Sequence, residues 1–252
     1  MGFEALDLTL DSAEETKAEA RALDARLADA STLEILDEAV HRIFPGEIAL
    51  VSSFGADSAV LLHLLSEVDR AVPVVFIDTG KLFGETRRHR DALVARLGLT
   101  DVRTVTPKAA RLASTDPSGA LWMSDKDLCC RIRKVEPLAD AVEGFSAWIT
   151  GRKRYQSATR ARLPVVEADG TRIKVNPLAG WSRADLDAWR LANDLPEHPL
   201  VAEGYRSIGC MPCTDRVADG EDERAGRWRG TAKTECGIHL GLIGREADGS
   251  GI

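Results

Sequence analysis

The strongest constraint on how this chain folds is a strand that runs straight into a small-residue turn and then a helix. Glu47-Ile-Ala-Leu-Val-Ser52 is a mostly apolar run of the kind buried on both faces of a sheet. Ser53-Phe-Gly-Ala-Asp-Ser58 follows at once, and Val60, Leu61, Leu64 and Leu65 then recur at helical spacing. A second unit repeats the scheme, with Val72-Pro-Val-Val-Phe-Ile-Asp78 as strand, Thr79-Gly-Lys-Leu-Phe-Gly84 as turn and residues 85–97 as helix. Strands are further expected over 102–105 and 147–150, with a helix over 126–142 between them. Residues 165–175 read as a hairpin around Asp169-Gly170. Ser31 with Glu34, and Ser182 with Asp185, are helix-start signals. Strands alternating with helices imply an α/β fold with a mostly parallel sheet flanked by helices. Beyond Pro199 the pattern breaks into Gly-, Cys- and Arg-rich sequence, a tail with too little apolar material to fold alone.

At 252 residues and 44% apolar content the chain can bury a real core. No apolar run approaches the roughly 20 residues of a membrane span. The acidic start MGFEALDLTLDSAEETKAEA has no secretory pattern, so a soluble cytoplasmic protein is expected. A net charge of −7 argues against a general nucleic-acid binder. The basic residues are nevertheless clustered. Arg152, Lys153, Arg154, Arg160 and Arg162 form one group, and Arg224, Arg227, Arg229 and Lys233 another. Such segments suit a small anionic ligand, or are solvated faces.

Five cysteines without an export signal point away from structural disulfides and toward ligands or catalysts. Cys129-Cys130 is an adjacent pair and Cys210-Met-Pro-Cys213 a CxxC. A CxxC alone could be a zinc half-site, a redox disulfide or chance; the four thiolates together suit zinc or an iron–sulfur cluster, or stay unligated, and adjacent cysteines are awkward for zinc. Cys236 stands apart in Lys233-Thr-Glu-Cys-Gly-Ile-His239, where neighbouring cations would favour its thiolate; a small buried thiol is the plainer alternative. The Ser52–Ser58 turn offers backbone N–H groups and hydroxyls at a helix start, an anion site or simply a tight turn. It is neither a Walker A loop nor a GxGxxG fingerprint.

These pieces, in this order, resemble the assimilatory sulfonucleotide reductases, specifically the thioredoxin-dependent adenylyl-sulfate reductase branch. The likeness runs over about residues 46–240. It rests on Ser53-Phe-Gly-Ala-Asp-Ser58, Ile77-Asp-Thr-Gly-Lys-Leu-Phe-Gly-Glu-Thr86 and Cys129-Cys-Arg-Ile-Arg-Lys-Val-Glu-Pro-Leu138. It continues through Gly151-Arg-Lys-Arg-Tyr-Gln-Ser157, Lys174-Val-Asn-Pro-Leu178, Gly204-Tyr-Arg-Ser-Ile-Gly-Cys210 and Glu235-Cys-Gly-Ile-His239.

The resemblance implies an adenine-nucleotide alpha-hydrolase-like (Rossmann-like) fold with a mobile C-terminal tail. With the Ala-, Glu- and Asp-rich residues 1–30 read as a helical extension, the expected division is that extension, a nucleotide-binding α/β domain (31–205) and a cluster loop with catalytic tail (206–252). It implies reduction of adenosine 5'-phosphosulfate to sulfite and AMP, with thioredoxin as reductant, in sulfate assimilation and cysteine biosynthesis. Cys129, Cys130, Cys210 and Cys213 would hold a 4Fe-4S cluster. Cys236 would be the nucleophile, with His239 and Lys134 assisting. Ser52, Ser53, Phe54, Gly55 and Ser58 would hold the phosphosulfate, and Asp78, Thr79, Gly80 and Leu82 would lie along the adenosine. Gly151, Arg160, Arg224 and Arg227 complete the implied substrate contacts. A homo-oligomer, with no nucleic acid and no membrane, completes the expectation. The nearest rivals are a reductase of 3'-phosphoadenosine 5'-phosphosulfate and an ATP-dependent tRNA-thiolating enzyme of the same superfold.

Overall fold

Six strands form one sheet in the order β3-β2-β1-β4-β6-β5. They are β1 (Ile48–Ser52), β2 (Val74–Ile77), β3 (Val102–Val105), β4 (Ala147–Ile149), β5 (Val166–Asp169) and β6 (Arg172–Val175). Every neighbouring pair is parallel except β5 and β6, which form the expected hairpin around the turn Gly170-Thr171. This computed structural model describes residues 4–231, 233 and 235–239. Residues 240–252 of the expected mobile tail lie outside the described residues.

Alternate residues of the central strands serve opposite faces, as the pleat requires. Ile48 and Leu50 of β1, with Val74 and Phe76 of β2, enter the larger core. That core also takes Leu61, Leu62, Leu64 and Leu65 from α3 (Ser58–Val68) and Leu93 and Leu97 from α4 (Gly84–Leu97). Ala49, Val75 and Trp148 face the other way, onto Leu138 and Val142 at the end of the 126–142 segment. Gly98 ends α4 in the left-handed conformation (φ 64°), where its N–H reaches the Val94 carbonyl.

The N-terminal segment is helical over Glu4–Leu27 (α1) and joins this core. Ala20, Leu23 and Leu27 are buried, and the Val166 N–H of edge strand β5 donates to the Asp24 carboxylate at 3.0 Å. Both helix-start signals are realised as capping boxes. Ser31 opens α2 (Thr32–Asp37), and Ser182 opens the helix Arg183–Ala192. Two short helices, Ala109–Thr115 and Leu121–Ser124, went unanticipated; neither buries a residue, so neither has an apolar period to read.

The expected helix over 126–142 is helical but not uniform. An α-helical turn, Lys126–Cys130, passes into a π-helical turn, Arg131–Val135, and back to α-helix over Glu136–Ala141. The extra residue in the π turn rotates the helix beyond it, so Cys129-Cys130 and Lys134 need not share the spacing of an ordinary helix.

Two buried histidines make the fold sensitive to acid. His198 accepts from the Leu200 N–H at Nδ1 and lies 3.1 Å from the Thr86 hydroxyl through Nε2. The His89 ring lies beside it, tilted by 59°, at 4.9 Å between ring centroids. Burial lowers both rings from the usual 6.5 to about 4. Between those values the unfolded chain takes up protons that the folded chain refuses, so stability is full above pH 6.5 and falls as pH drops toward 4. The expected loss is on the order of 2 kcal/mol per ring. Urea midpoints measured from about pH 7 down to about pH 4 check this; a flat profile contradicts it.

Candidate active site

Ligands of open α/β sheets bind beyond the carboxyl ends of the strands, where the order of connection reverses. Here that point lies between β1, which leads to β2 and β3 on one side, and β4 on the other. A cavity of about 220 Å³ opens there, lined by Ser52, Ser53, Gly55 and Ser58 after β1 and by Thr150, Gly151 and Arg152 after β4.

The turn after β1 is held by Phe54, the residue that does not line the cavity. Its backbone is left-handed (φ 48°), a costly conformation for a side chain of this size. Complete burial of the ring, edge-on to Phe76 at 5.4 Å, and an N–H bond to the Ser52 hydroxyl at 3.1 Å offset that cost. Asp57 at the foot of α3 is pinned by Lys153 (2.9 Å) and Arg183 (2.8 Å). Burial opposes its charge, yet those two cations hold its carboxyl below the ordinary range.

Cations converge on the cavity from both basic segments. Arg152 and Lys153 are 7% and 1% exposed and Arg160 6%, whereas Arg154 and Arg162 face solvent. The first segment is therefore half site and half solvated face. From the second segment, Arg224 and Arg227 line the cavity while Arg229 is exposed. Trp228 organises this segment: it is buried, with the Arg227 guanidinium 4.5 Å and the Lys233 ammonium 5.7 Å from its ring centre. Gly209 lies against the Arg227 guanidinium, which a Cβ at that position would push aside.

Cys236 and His239 close the cavity from the C-terminal side, joined by Glu235 and Lys134. The Cys236 thiol is drawn well below its usual range, first by a hydrogen bond from the Cys130 thiol and then, against burial, by Lys134, the Ile238 backbone and Arg227. Cys130 is pushed up correspondingly, by the same bond and by burial. His239 lies parallel to Trp148 at 6.2 Å between ring centres, and its Nδ1 is buried with no hydrogen-bond partner among the described residues. Burial, then Arg152, Arg160, Lys174 and Arg224, hold this imidazole well below its usual pKa, so it is neutral. Burial opposes the Lys134 charge, but the sulfurs of Cys210, Cys236 and Cys130 keep its ammonium firmly protonated.

The other four cysteines border a second, narrower cavity together with Lys81, Lys126, Arg133 and Lys134. Cys129 and Cys130 approach it from the helical side and Cys210 and Cys213 from the Met211–Cys213 turn. The loop is tied to the turn after β2. The Met211 N–H donates to the Lys81 carbonyl at 2.8 Å, and the Thr79 hydroxyl lies 3.3 Å from the Cys210 sulfur. Arg133 clasps the same turn through the Thr79 carbonyl (2.9 Å) and is itself paired with buried Asp116 at 2.6 Å. Free space between the thiols is only about 10 Å³, and no ready metal-binding group stands among the described residues. Their side chains would have to turn to admit a cluster. The donor chemistry nevertheless fits one. Burial and neighbouring cysteines push the Cys129 and Cys213 thiols up, so they give up their protons readily only to a metal. Four cations border the cavity to balance the resulting charge.

The profile of the phosphoadenosine phosphosulfate reductase domain matches residues 47–216. The chain belongs to that family. It is 55% identical to the adenosine 5'-phosphosulfate reductase of Mesorhizobium japonicum over 93% of this chain and 92% of that protein. It is 58% identical to the protein of the same name from Chelativorans sp., over 88% and 91%. Among solved structures, the phosphoadenylyl-sulfate reductase of Candida auris, in a phosphate complex, superposes with a TM-score of 0.67. Identity there is 30%, over 79% of this chain and 96% of that one. A Candida glabrata FMN adenylyltransferase shares the fold alone, at 16% identity and a TM-score of 0.51 over 89% and 86%. The expected fold and the oxidoreductase class of the phosphoadenosine phosphosulfate reductase family are borne out.

Within this reductase-family chain the two expected groups of residues line two adjoining cavities that share Lys134. Ser52, Ser53, Gly55, Ser58, Thr79, Leu82, Lys134, Gly151, Arg160, Arg224, Arg227, Cys236 and His239 all line the larger cavity. Phe54, Asp78 and Gly80 do not. Asp78 pairs with Arg87 at 2.8 Å and accepts from the Gly80 N–H at 2.9 Å, while Gly80 supplies the positive φ (71°) of that turn. Asp57, Arg152, Lys153, Trp228 and Glu235 belong to the site and were not singled out as site residues. For the two cations the signal was present in the basic cluster. Asp57 and Glu235 lie inside the quoted motifs Ser53–Ser58 and Glu235–His239, but a lone carboxylate in sequence does not reveal which cation it meets.

Proposed function

We propose that this protein reduces adenosine 5'-phosphosulfate to sulfite and AMP through an S-sulfocysteine on Cys236, with thioredoxin as reductant. The observation that carries the proposal is one cavity, at the strand ends where nucleotides bind, that joins Cys236 to Lys134, Arg160, Arg224 and Arg227. The names of its relatives, 55% and 58% identical, support the same substrate.

The chemistry follows from the groups present. The Cys236 thiolate attacks the sulfonyl sulfur, the bond from that sulfur to the phosphate oxygen breaks, and its electron pair leaves with AMP. Charge builds on the departing phosphate, toward which buried Arg160 and half-buried Arg224, Arg227 and Lys134 can turn their cationic groups. AMP leaves as an anion and needs no proton, which suits a neutral His239 that orients rather than protonates. A thioredoxin thiolate then attacks the Cys236 sulfur and expels sulfite; its second thiol resolves the mixed disulfide, regenerates Cys236 and leaves thioredoxin oxidised.

Cys129, Cys130, Cys210 and Cys213 would hold a 4Fe-4S cluster, which would supply a fixed electrostatic element without cycling its redox state. Lys134 borders both cavities, which supports a role in linking that element to the substrate anion. A place in sulfate assimilation and cysteine biosynthesis in the cytoplasm, acting on neither nucleic acid nor membrane, completes the reading, as does self-association. Among the described residues no helix is long and apolar enough to cross a membrane.

Substrate choice gives the test. The four paired cysteines favour the nucleotide without a 3'-phosphate, so kcat/KM for adenosine 5'-phosphosulfate is expected to exceed that for its 3'-phosphorylated form by tenfold or more. That ratio is about 1.4 kcal/mol in transition-state binding. Sulfite release with reduced thioredoxin measures both. A tenfold preference for the 3'-phosphorylated nucleotide reverses the assignment, and no sulfite from either removes it.

A further inference from the structure

The two arginines best placed to grip an anion are already gripping one. Arg160 donates from Nε to Glu235 Oε1 (2.8 Å) and from Nη2 to Oε2 (2.7 Å), the two-pronged geometry with which guanidinium also holds a phosphate or sulfonate. Its third nitrogen, Nη1, donates to the Gln156 side chain at 2.5 Å. Arg224 adds a contact to Glu235 Oε2 at 3.3 Å. The Glu235 side chain is only 12% exposed, lines the substrate cavity and directly precedes Cys236.

We infer that Glu235 is a placeholder anion, whose carboxylate occupies Arg160 and Arg224 until an oxyanion of the substrate displaces it. This rests on the reading that those arginines receive the anionic end of the nucleotide. The exchange is required by geometry and charge. The edge of Arg160 that can hold an oxyanion with two parallel bonds is filled by Glu235. A carboxylate left in place would face the incoming anion at contact distance, and two like charges that close repel each other strongly. Until then, the same carboxylate balances the charge of the buried Arg160 guanidinium, whose loss of that partner would cost more than the pair itself contributes. Because Glu235 and Cys236 are consecutive, the displacement also shifts the segment that carries the nucleophile. Arrival of substrate and release of that segment become one event.

The test is calorimetric titration of the full-length, cluster-loaded protein with AMP, which presents the phosphate, and separately with inorganic sulfate, which mimics the sulfonyl end. Glu235→Gln removes the competing charge and is expected to tighten binding of at least one probe about tenfold. The probe that gains identifies the group that takes over the arginines. Glu235→Asp, with the charge kept on a shorter arm, is expected to fall between, and it decides the matter if the glutamine variant folds poorly. Arg160→Ala is expected to weaken the same probe. If both Glu235 variants bind AMP and sulfate no tighter than the native chain while Arg160→Ala still weakens binding, the placeholder is overturned and the nucleotide site stands. If the native chain and all variants bind neither probe, the nucleotide reading falls with it.

Discussion

Cys236→Ser is expected to lower kcat/KM by at least ~10³-fold while leaving AMP affinity within about twofold of the native chain, because a serine hydroxyl is a far weaker nucleophile than a thiolate. The size of the effect comes from position. Cys236 is the one cysteine of the five that lines the larger cavity; the other four border the second. Lys134 and Arg227 both stabilise its charge. Native protein given substrate and no thioredoxin is expected to gain one sulfonate, about 80 Da by the stoichiometry of thiol attack, on the peptide containing Glu235-Cys236-Gly237. Reduced thioredoxin should remove the adduct and release sulfite. Mass mapping of the adduct to Cys210 or Cys213, or comparable turnover by the serine variant, would assign the chemistry elsewhere.

Cys213→Ser carries the second large effect. Anaerobically purified native protein is expected to be brown, with broad thiolate-to-iron absorption near roughly 400 nm and matched iron and sulfide. The serine variant should lose that band. Turnover should fall further than the roughly 10–100-fold that loss of an outer partner of a metal site costs. The nucleotide cavity should suffer as well, since the loop carrying Cys210 and Cys213 is bonded to the Thr79–Leu82 turn through Lys81 and Thr79. Stoichiometric zinc without sulfide in the native protein contradicts the cluster.

The features legible in the chain in advance were the local ones. The strand ends, both capping boxes and the ligand-like pairs of cysteines each announce themselves within a few residues. Phe54 shows the limit. In sequence it sits amid a turn that reads as a candidate anion site, yet its left-handed backbone sends the ring into the core. Glu235 shows it more sharply, since its importance lies wholly in two arginines 75 and 11 residues away. The basic clusters were legible as clusters, but only burial separates Arg152 and Arg160 from solvated Arg154 and Arg162. The π turn after Cys130 left no periodic trace, because it breaks the period that would reveal it.

The N-terminal helix has a consequence for how such molecules can meet. A sheet's outermost strand is ordinarily a template on which another copy can add a strand of its own. At the β5 margin, α1 packs across that strand and Asp24 takes up the Val166 N–H. At the β3 margin, Arg103 is paired with Asp101, and Arg90 reaches Thr104 at 3.3 Å, so the rim is charged and hostile to strand addition. Assembly of two copies through a continuous sheet is discouraged at both rims. Contact between copies therefore falls to surfaces other than the rims of the sheet, and the cavity, which opens at the central strands β1 and β4, lies away from both rims.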